Sequence, residues 1–334
     1  MFDFIPSEYF LLIFGFILLI KGGDWFVDAA SSIAKRFHLP ELLIGATVVS
    51  IGTTLPEVMT SALGAISGAS EIAYGNALGS IICNTSLIAA ITIAIKPSKA
   101  DKKTKIFPVI FFFAVAIFYS LNAYIAQGFA LWTGIFLLVC FVVYMIINVL
   151  NMKKSPVSPE MITISDDKQT EEISKAGFVK DIIMLIVGAL VIAVGAYLLV
   201  ENATAIAQQL GVPESVIGLT VVALGTSLPE FVTAITSLIK GHGALSLGNI
   251  IGANIFNLVL VLGVAITISP FTIPLSSMFF GMNASFILDI PVMFVVMAIL
   301  TIPTIFKGKL ERWQGISLLA IYFSYLILQF VFVG

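Results

Sequence analysis

A chain of 334 residues that is 59% hydrophobic and only 11% charged, with a mean hydropathy of +1.09, is far more apolar than a soluble domain, in which about a quarter of residues are charged. The composition therefore gives an all-α integral membrane protein and leaves no room for a large soluble domain. The net charge of −2 excludes little, because in a bilayer the placement of charge matters more than its sum.

A spanning helix needs about 20 mostly apolar residues, and ten such runs are expected. The first, 9–34, is long enough to tilt and carries Lys21, Asp24 and Asp28 in its second half. It has no basic residue ahead of it, so it is read as a retained helix rather than a cleaved signal. Runs 40–66 and 72–95 follow, then 106–121 and 128–149, which are free of charge and are expected to face lipid. A polar stretch rich in Lys, Ser, Pro, Asp and Glu comes next, and after it runs 178–209, 213–239, 244–268, 283–305 and 314–332. The implied organisation is a first five-helix repeat over 1–150, a cytoplasmic linker over 151–177 and a second, inverted repeat over 178–334. With the N-terminus outside, 16 of the 17 basic residues fall in inside loops, the exception being Lys21.

The repeat is visible directly. Sliding the chain by 173 residues lays Pro40–Pro97 on Pro213–Pro270 without a gap, with 24 of 58 positions identical, and brings Asp28 onto Glu201. An odd number of spans per copy inserts the second copy upside down, the layout of secondary transporters that bind substrate near the midplane.

At matching places in the second and seventh runs stand Gly52-Thr53-Thr54-Leu55-Pro56-Glu57 and Gly225-Thr226-Ser227-Leu228-Pro229-Glu230. A carboxylate in hydrocarbon costs at least about 2.5 kcal/mol, so a matched pair calls for a function. Glycine and proline are expected to interrupt helical bonding across 50–54 and 223–227, giving broken helices 2 and 7 and freeing carbonyls in a medium without water. A cation can take up those carbonyls, with the hydroxyls of Thr53 and Thr226 and the charges of Glu57 and Glu230 around it. Hard oxygens and two carboxylates suit sodium or calcium. Opposite them, Asn76, Ser80 and Asn84 share one face of the third run beside Gly75 and Gly79, a small-residue surface that admits a neighbouring backbone. The second copy repeats Asn249 and Asn257 but puts Ala253 in place of the serine.

Other polar residues have blander readings. Asn76 and Asn249 suit interhelical hydrogen bonding as well as ion contact, and Asp24, Asp28, Glu201 and Asp289 are placed near the membrane surface. Cys83 and Cys140 lie in apolar runs and read as small core residues, giving neither a disulfide framework nor a metal centre. His38 and His242 are read as solvated loop residues, and Asp166-Asp167 and Glu171-Glu172 as a solvated linker.

These residues resemble the sodium/calcium exchanger family of the calcium:cation antiporters, in particular its short prokaryotic members, over nearly the whole chain. The resemblance implies ion sites that calcium and sodium occupy alternately, in the plasma membrane of a prokaryote. Glu57 and Glu230 would be shared carboxylates, Thr53 and Thr226 would give hydroxyl and carbonyl oxygens, and Ser50 and Ala223 carbonyls; Ser80, Asn84 and Asn257 would complete the cluster. The first and sixth helices would slide to alternate access. The expected activity is export of calcium against sodium by a monomer, with no resident cofactor, no enzymatic step and no nucleic-acid partner. Where many sodium/calcium exchangers have an Asp on one of these two faces, both Asn84 and Asn257 are neutral here, and Ala253 lacks a hydroxyl. Proton coupling is therefore a second expectation. A cation channel is a third, disfavoured because channels usually build pores from symmetric subunits or rings. A membrane enzyme lacks a nucleophile–base pair.

Overall fold

A computed structural model describes residues 7–68, 70–97, 102–154, 175–210, 223–273, 278–279 and 282–329. In chain order the helices are α1 (Ser7–Arg36), α2 (Glu41–Ile66), α3 (Ile72–Ile95), α4 (Ile106–Ala126), α5 (Leu131–Asn151), α6 (Gly177–Gln209), α7 (Leu228–Ile239), α8 (Gly243–Ile268), α9 (Ser285–Lys307) and α10 (Arg312–Leu328). Eight of them are long and apolar enough to cross a membrane; α7 and α10 are shorter, with 12 and 17 residues. The start of the seventh run, 213–222, and most of the 151–177 linker lie outside the described residues, as do the acidic pairs at 166–167 and 171–172.

Among the described residues, two large hydrophobic bodies and a small alanine cluster make up the bundle. The larger joins α3, α4, α5, α8, α9 and α10 through Tyr74, Phe112, Tyr119, Tyr144, Phe256, Met293 and Leu318. The smaller is built mainly from α1 and α6, with Phe26, Ile33, Leu185 and Ile192 packed together and Ile44 of α2 against them. These two helices lie antiparallel at very short range. A Cβ on Gly15 would come within 2.9 Å of the Gly195 carbonyl, one on Gly195 within 2.8 Å of the Gly15 carbonyl, and one on Gly188 within 2.8 Å of the Phe26 nitrogen. Glycine is what allows the backbones to meet, and close packing of that kind drives helix association where no hydrophobic effect operates.

The fourth and fifth runs, expected to face lipid, each face the core as well. Phe112 and Tyr119 of α4 and Leu137 and Tyr144 of α5 are fully buried, so each helix has a core face besides an exposed one, at Ile110 and Ile117 in α4 and Ile135 and Val142 in α5. Lipid tails and protein cores are equally apolar, so an uncharged run does not distinguish them.

Local structure repeats with the sequence. In α3 a π-helical segment, Asn84–Ala89, precedes a last α-helical piece, Ala90–Ile95; in α8 Asn257–Val261 precedes Leu262–Ile268. The turns after α2 and α7 use Gly68 and Gly241 at φ +78 and +85, values in which a Cβ is disfavoured. Short antiparallel strands, Gly128–Phe129 and Phe271–Thr272, tie the α4–α5 connection to the α8–α9 connection.

Proline inside α9 shows how a membrane helix repairs itself. Pro303 has no N–H for the carbonyl of Ile299, and the buried Gln314 side chain of α10 donates to that carbonyl at 2.8 Å. It also donates to Thr304 Oγ1 at 3.0 Å and accepts from the Glu311 N–H at 2.8 Å. Gln314→Leu should destabilise the protein by about 1–3 kcal/mol, since it orphans several buried groups; a lower thermal midpoint in detergent checks this, and an unchanged midpoint contradicts it. In the same turn Lys307, Trp313 and Lys309 hold the Glu311 carboxyl down at about 2. Its pairing is complete above the ordinary carboxylate range and is lost only as the pH falls towards 2.

Candidate functional site

Glu57 of α2 and Glu230 of α7 are both fully buried, and their carboxyl groups are close enough to interact directly. Among the described residues, neither oxygen of Glu57 nor Oε2 of Glu230 has a hydrogen-bond donor, while Glu230 Oε1 accepts weakly from Thr54 Oγ1 at 3.5 Å. Two carboxylates facing each other in low dielectric repel strongly unless a positive species lies between them. Both amide atoms of Asn84 and of Asn257 are likewise buried without partners, as is Ser227 Oγ.

The local chain explains why these groups converge. α7 is interrupted as expected: the turn Ala223–Thr226 stops at Ser227, whose φ/ψ of −89/4 lies between helical segments, and Leu228–Ile239 resumes beyond it. α2 corrects the expectation. It runs without interruption from Glu41 to Ile66 with Pro56 inside it, and its irregularity lies one turn earlier, in a π-helical segment at Gly45–Val49. Hydroxyls take over the strained carbonyls there: Thr47 Oγ1 donates to Leu43 O at 2.7 Å and Ser50 Oγ to Gly45 O at 2.8 Å. Pro56 and Pro229 still leave the carbonyls of Gly52 and Gly225 without their helical donors. No hydrogen bond like that of Gln314 is seen at either among the described residues.

The sequence-derived ligands fall into place unevenly. Ser50, Thr53, Ser80, Asn84 and Asn257 are all buried, and Ser80 and Asn84 lie one turn apart on α3. Thr226 is half-buried, and Ala223 opens the short turn, where only its backbone is described. The two asparagines left open between helix packing and ion contact behave differently. Asn76 donates to the Glu57 carbonyl at 3.2 Å and to Ser61 Oγ at 2.9 Å, joining α3 to α2. Asn249 reaches into the other half of the chain, where its Oδ1 accepts from Thr53 Oγ1 at 3.2 Å and lies 3.3 Å from Ser50 Oγ, whose one proton goes to the nearer Gly45 carbonyl. A hydroxyl that gives up its proton in this way keeps its lone pairs for a cation.

The surface expected at Gly75 and Gly79 also proves lopsided. Their repeat partners Gly248 and Gly252 pack against Leu42, Ala46 and Ser50 of α2, whereas a Cβ at Gly75 or Gly79 meets nothing within 4 Å among the described residues. Three features were not visible in the sequence. Cys83 lies beside Ser227 and within reach of both glutamates' charge. Asn254 donates to Thr85 Oγ1 at 2.7 Å and to Met297 Sδ at 3.2 Å, bracing α8 against α3 and α9. His242, read as solvated, is only 17% exposed and sits 2.7 Å from Glu41 Oε1. Asp24 and Asp28, in the second half of α1, pair with Lys240, and Asp289 takes hydrogen bonds from Tyr325 and Gln329 at 3.0 and 2.7 Å near the start of α9.

Comparison with known proteins fits this geometry. The family model described as sodium/calcium exchanger protein matches residues 7–150 and 180–331. The chain is 33% identical to the sodium/calcium exchanger MaX1 of Methanosarcina acetivorans over 98% of its own length and 99% of that protein's. It is also 34% identical to the inner membrane protein YrbG of Escherichia coli K12, covering 78% and 79%. Among solved structures, the sodium-calcium exchanger NCX_Mj soaked with sodium and strontium superposes with a TM-score of 0.78 at 31% identity, covering 95% of this chain and 97% of that one. Paired buried glutamates in a duplicated helical membrane protein and matches of this extent lead to one conclusion: the chain belongs to the sodium/calcium exchanger family.

Proposed function

We propose that the protein is a secondary antiporter that exports calcium in exchange for sodium by alternating access, acting as a monomer in a prokaryotic plasma membrane. The observation that carries this reading is the pair Glu57 and Glu230, buried at repeat-matched positions with almost no donors around them. Calcium or sodium ions bind between them, with Ser50, Thr53, Thr226, Ala223, Ser80, Asn84 and Asn257 supplying hydroxyl, carbonyl and amide oxygens. Two uncompensated carboxylates also keep the empty site from crossing, which is what obliges exchange.

The architecture follows from the same reading: ten helices in two inverted repeats, 1–150 and 178–334, around a cytoplasmic 151–177 linker, with the N-terminus outside. The antiparallel contact of α1 with α6, two helices at equivalent places in the repeats, supports the inversion. Separation of these helices from the main hydrophobic body supports their sliding as a unit. Calcium–proton exchange is a second reading, favoured by the neutrality of Asn84 and Asn257 and by Ala253.

Radioactive calcium uptake into proteoliposomes under imposed gradients separates the two. Uptake driven by an outward sodium gradient supports the proposal; uptake that ignores sodium and follows a pH gradient overturns it in favour of protons.

A further inference from the structure

Three polar contacts, two of them ion pairs, gather at one end of the bundle, the end that the basic residues assign to the cytosol. Lys240, which follows α7, uses all three ammonium protons on α1: Asp24 O at 3.1 Å, Asp24 Oδ1 at 3.2 Å and Asp28 Oδ1 at 2.8 Å. Two residues on, His242 meets Glu41 at the start of α2 at 2.7 Å. Arg36 at the end of α1 pairs with Asp181 of α6 at 3.1 Å, and Ser32 donates to the same carboxylate oxygen at 2.9 Å. The first two contacts radiate from one loop, Lys240-Gly241-His242, and tie both α1 and α2 to the α7–α8 corner. Beneath it the cytosolic half of α2 is closed on α8, where a Cβ at Gly45, Gly248 or Gly252 would strike the facing backbone.

The duplication supplies an internal control. Shifting by 173 residues lays Lys240-Gly241-His242 on Ser67-Gly68-Ala69, and both glycines hold the same positive φ. The turn is therefore conserved within the molecule while its charges are not. The partners change as well, since Asp24 and Asp28 correspond to Tyr197 and Glu201 of α6. Neither a serine nor an alanine side chain can form an ion pair, so this turn of the first repeat has no equivalent of the Lys240 cluster, whichever way the protein is facing.

We infer that the loop Lys240-Gly241-His242 is a latch that holds the cytosolic side closed and biases the exchanger towards the state in which that side is shut. The inference rests on the alternating-access reading above. In a transporter with two inverted halves, equal halves would leave the two facing states balanced; a contact present on one side only shifts that balance by its own free energy. Moving α1 and α2 away from the α7–α8 corner breaks both of its contacts, whereas the matching movement at the outer end breaks no ion pair of this loop. Cytosolic calcium must then offset the latch in order to enter, which lowers its apparent affinity from that side.

A cysteine placed at Ser246 reports the opening. Ser246 is buried at the cytosolic end of α8 and lines a narrow crevice with Thr92, Lys96, Leu238 and Gly243. The full chain carrying Ser246→Cys is held in nanodiscs with sodium and without calcium, so that the loaded site can cross, and labelled with a maleimide, and mass spectrometry assigns the label to position 246. Adding Lys240→Met, which keeps the aliphatic stem and removes the charge, should speed labelling about five-fold, the scale of a well-made, partly exposed ion-pair network. An unchanged rate overturns the latch. Should Lys240→Met fail to fold, Ser67→Lys carries the test: in the 173-residue register its ammonium matches that of Lys240 and Glu201 matches Asp28, so it supplies the outer counterpart of the latch and should also speed labelling at 246, and no change there overturns the inference. Failure of the antiport reading would show separately, as absence of gradient-driven calcium uptake by the unmodified chain.

Discussion

Glu57→Gln and Glu230→Gln should each reduce calcium exchange by at least about 100-fold, because removing one charged partner from a buried ionic group costs about 3–5 kcal/mol. The substitution is close to isosteric, so packing around the site is retained. It also removes one of two carboxylates buried almost without donors. The thermal midpoint in ion-free detergent should therefore stay level or rise while transport is lost. That combination separates a binding role from a structural one, since a structural carboxylate would lower both. Calcium uptake and melting on the same preparation measure it, and full transport by either variant removes that glutamate from the site.

Gly252→Val should have the second largest effect. A Cβ at Gly252 would collide with Ser50 Oγ and come within 2.6 Å of the Ala46 Cα, both on α2. Overpacking in a close-packed interior costs about 1–3 kcal/mol. Here the obstacle includes backbone, so relief comes only by moving α2 off α8. That displacement carries away Ser50 and Thr53, whose hydroxyls both contact Asn249 in the next turn towards the N-terminus of α8. A lowered melting midpoint together with at least about a tenfold loss of transport is expected. Normal stability and transport would show that α2 and α8 do not need this contact.

The behaviour of Asn249 and Asn76 shows where reading a sequence ends. They occupy the same place in the two copies, and nothing in spacing or composition distinguishes them. One turns to a neighbouring helix of its own repeat and the other crosses to the opposite repeat. The choice depends on what stands across from each: Ser61 gives Asn76 a hydroxyl partner, while the equivalent residue for Asn249 is Ala234. Likewise Gly52 and Pro56 pointed to a broken α2, but the strain is absorbed by a π-helical segment before Ser50 and by two hydroxyls. Pro229 sits in the matching motif, and there the chain does break, at Ser227.

The membrane setting, the duplication and the glutamate-bearing motifs are legible in the residues alone. Hydrocarbon makes each of these conspicuous, because it offers no water to satisfy a carboxylate or a freed carbonyl, and such groups stand out against an apolar background. Which groups those residues face emerges from the packing of the folded chain. The pairs Ser50–Asn249, Thr85–Asn254, Glu41–His242 and Asp28–Lys240 join residues far apart in the chain. Helical spacing specifies the face on which a side chain lies, and the partner across that face is set by how the two halves pack.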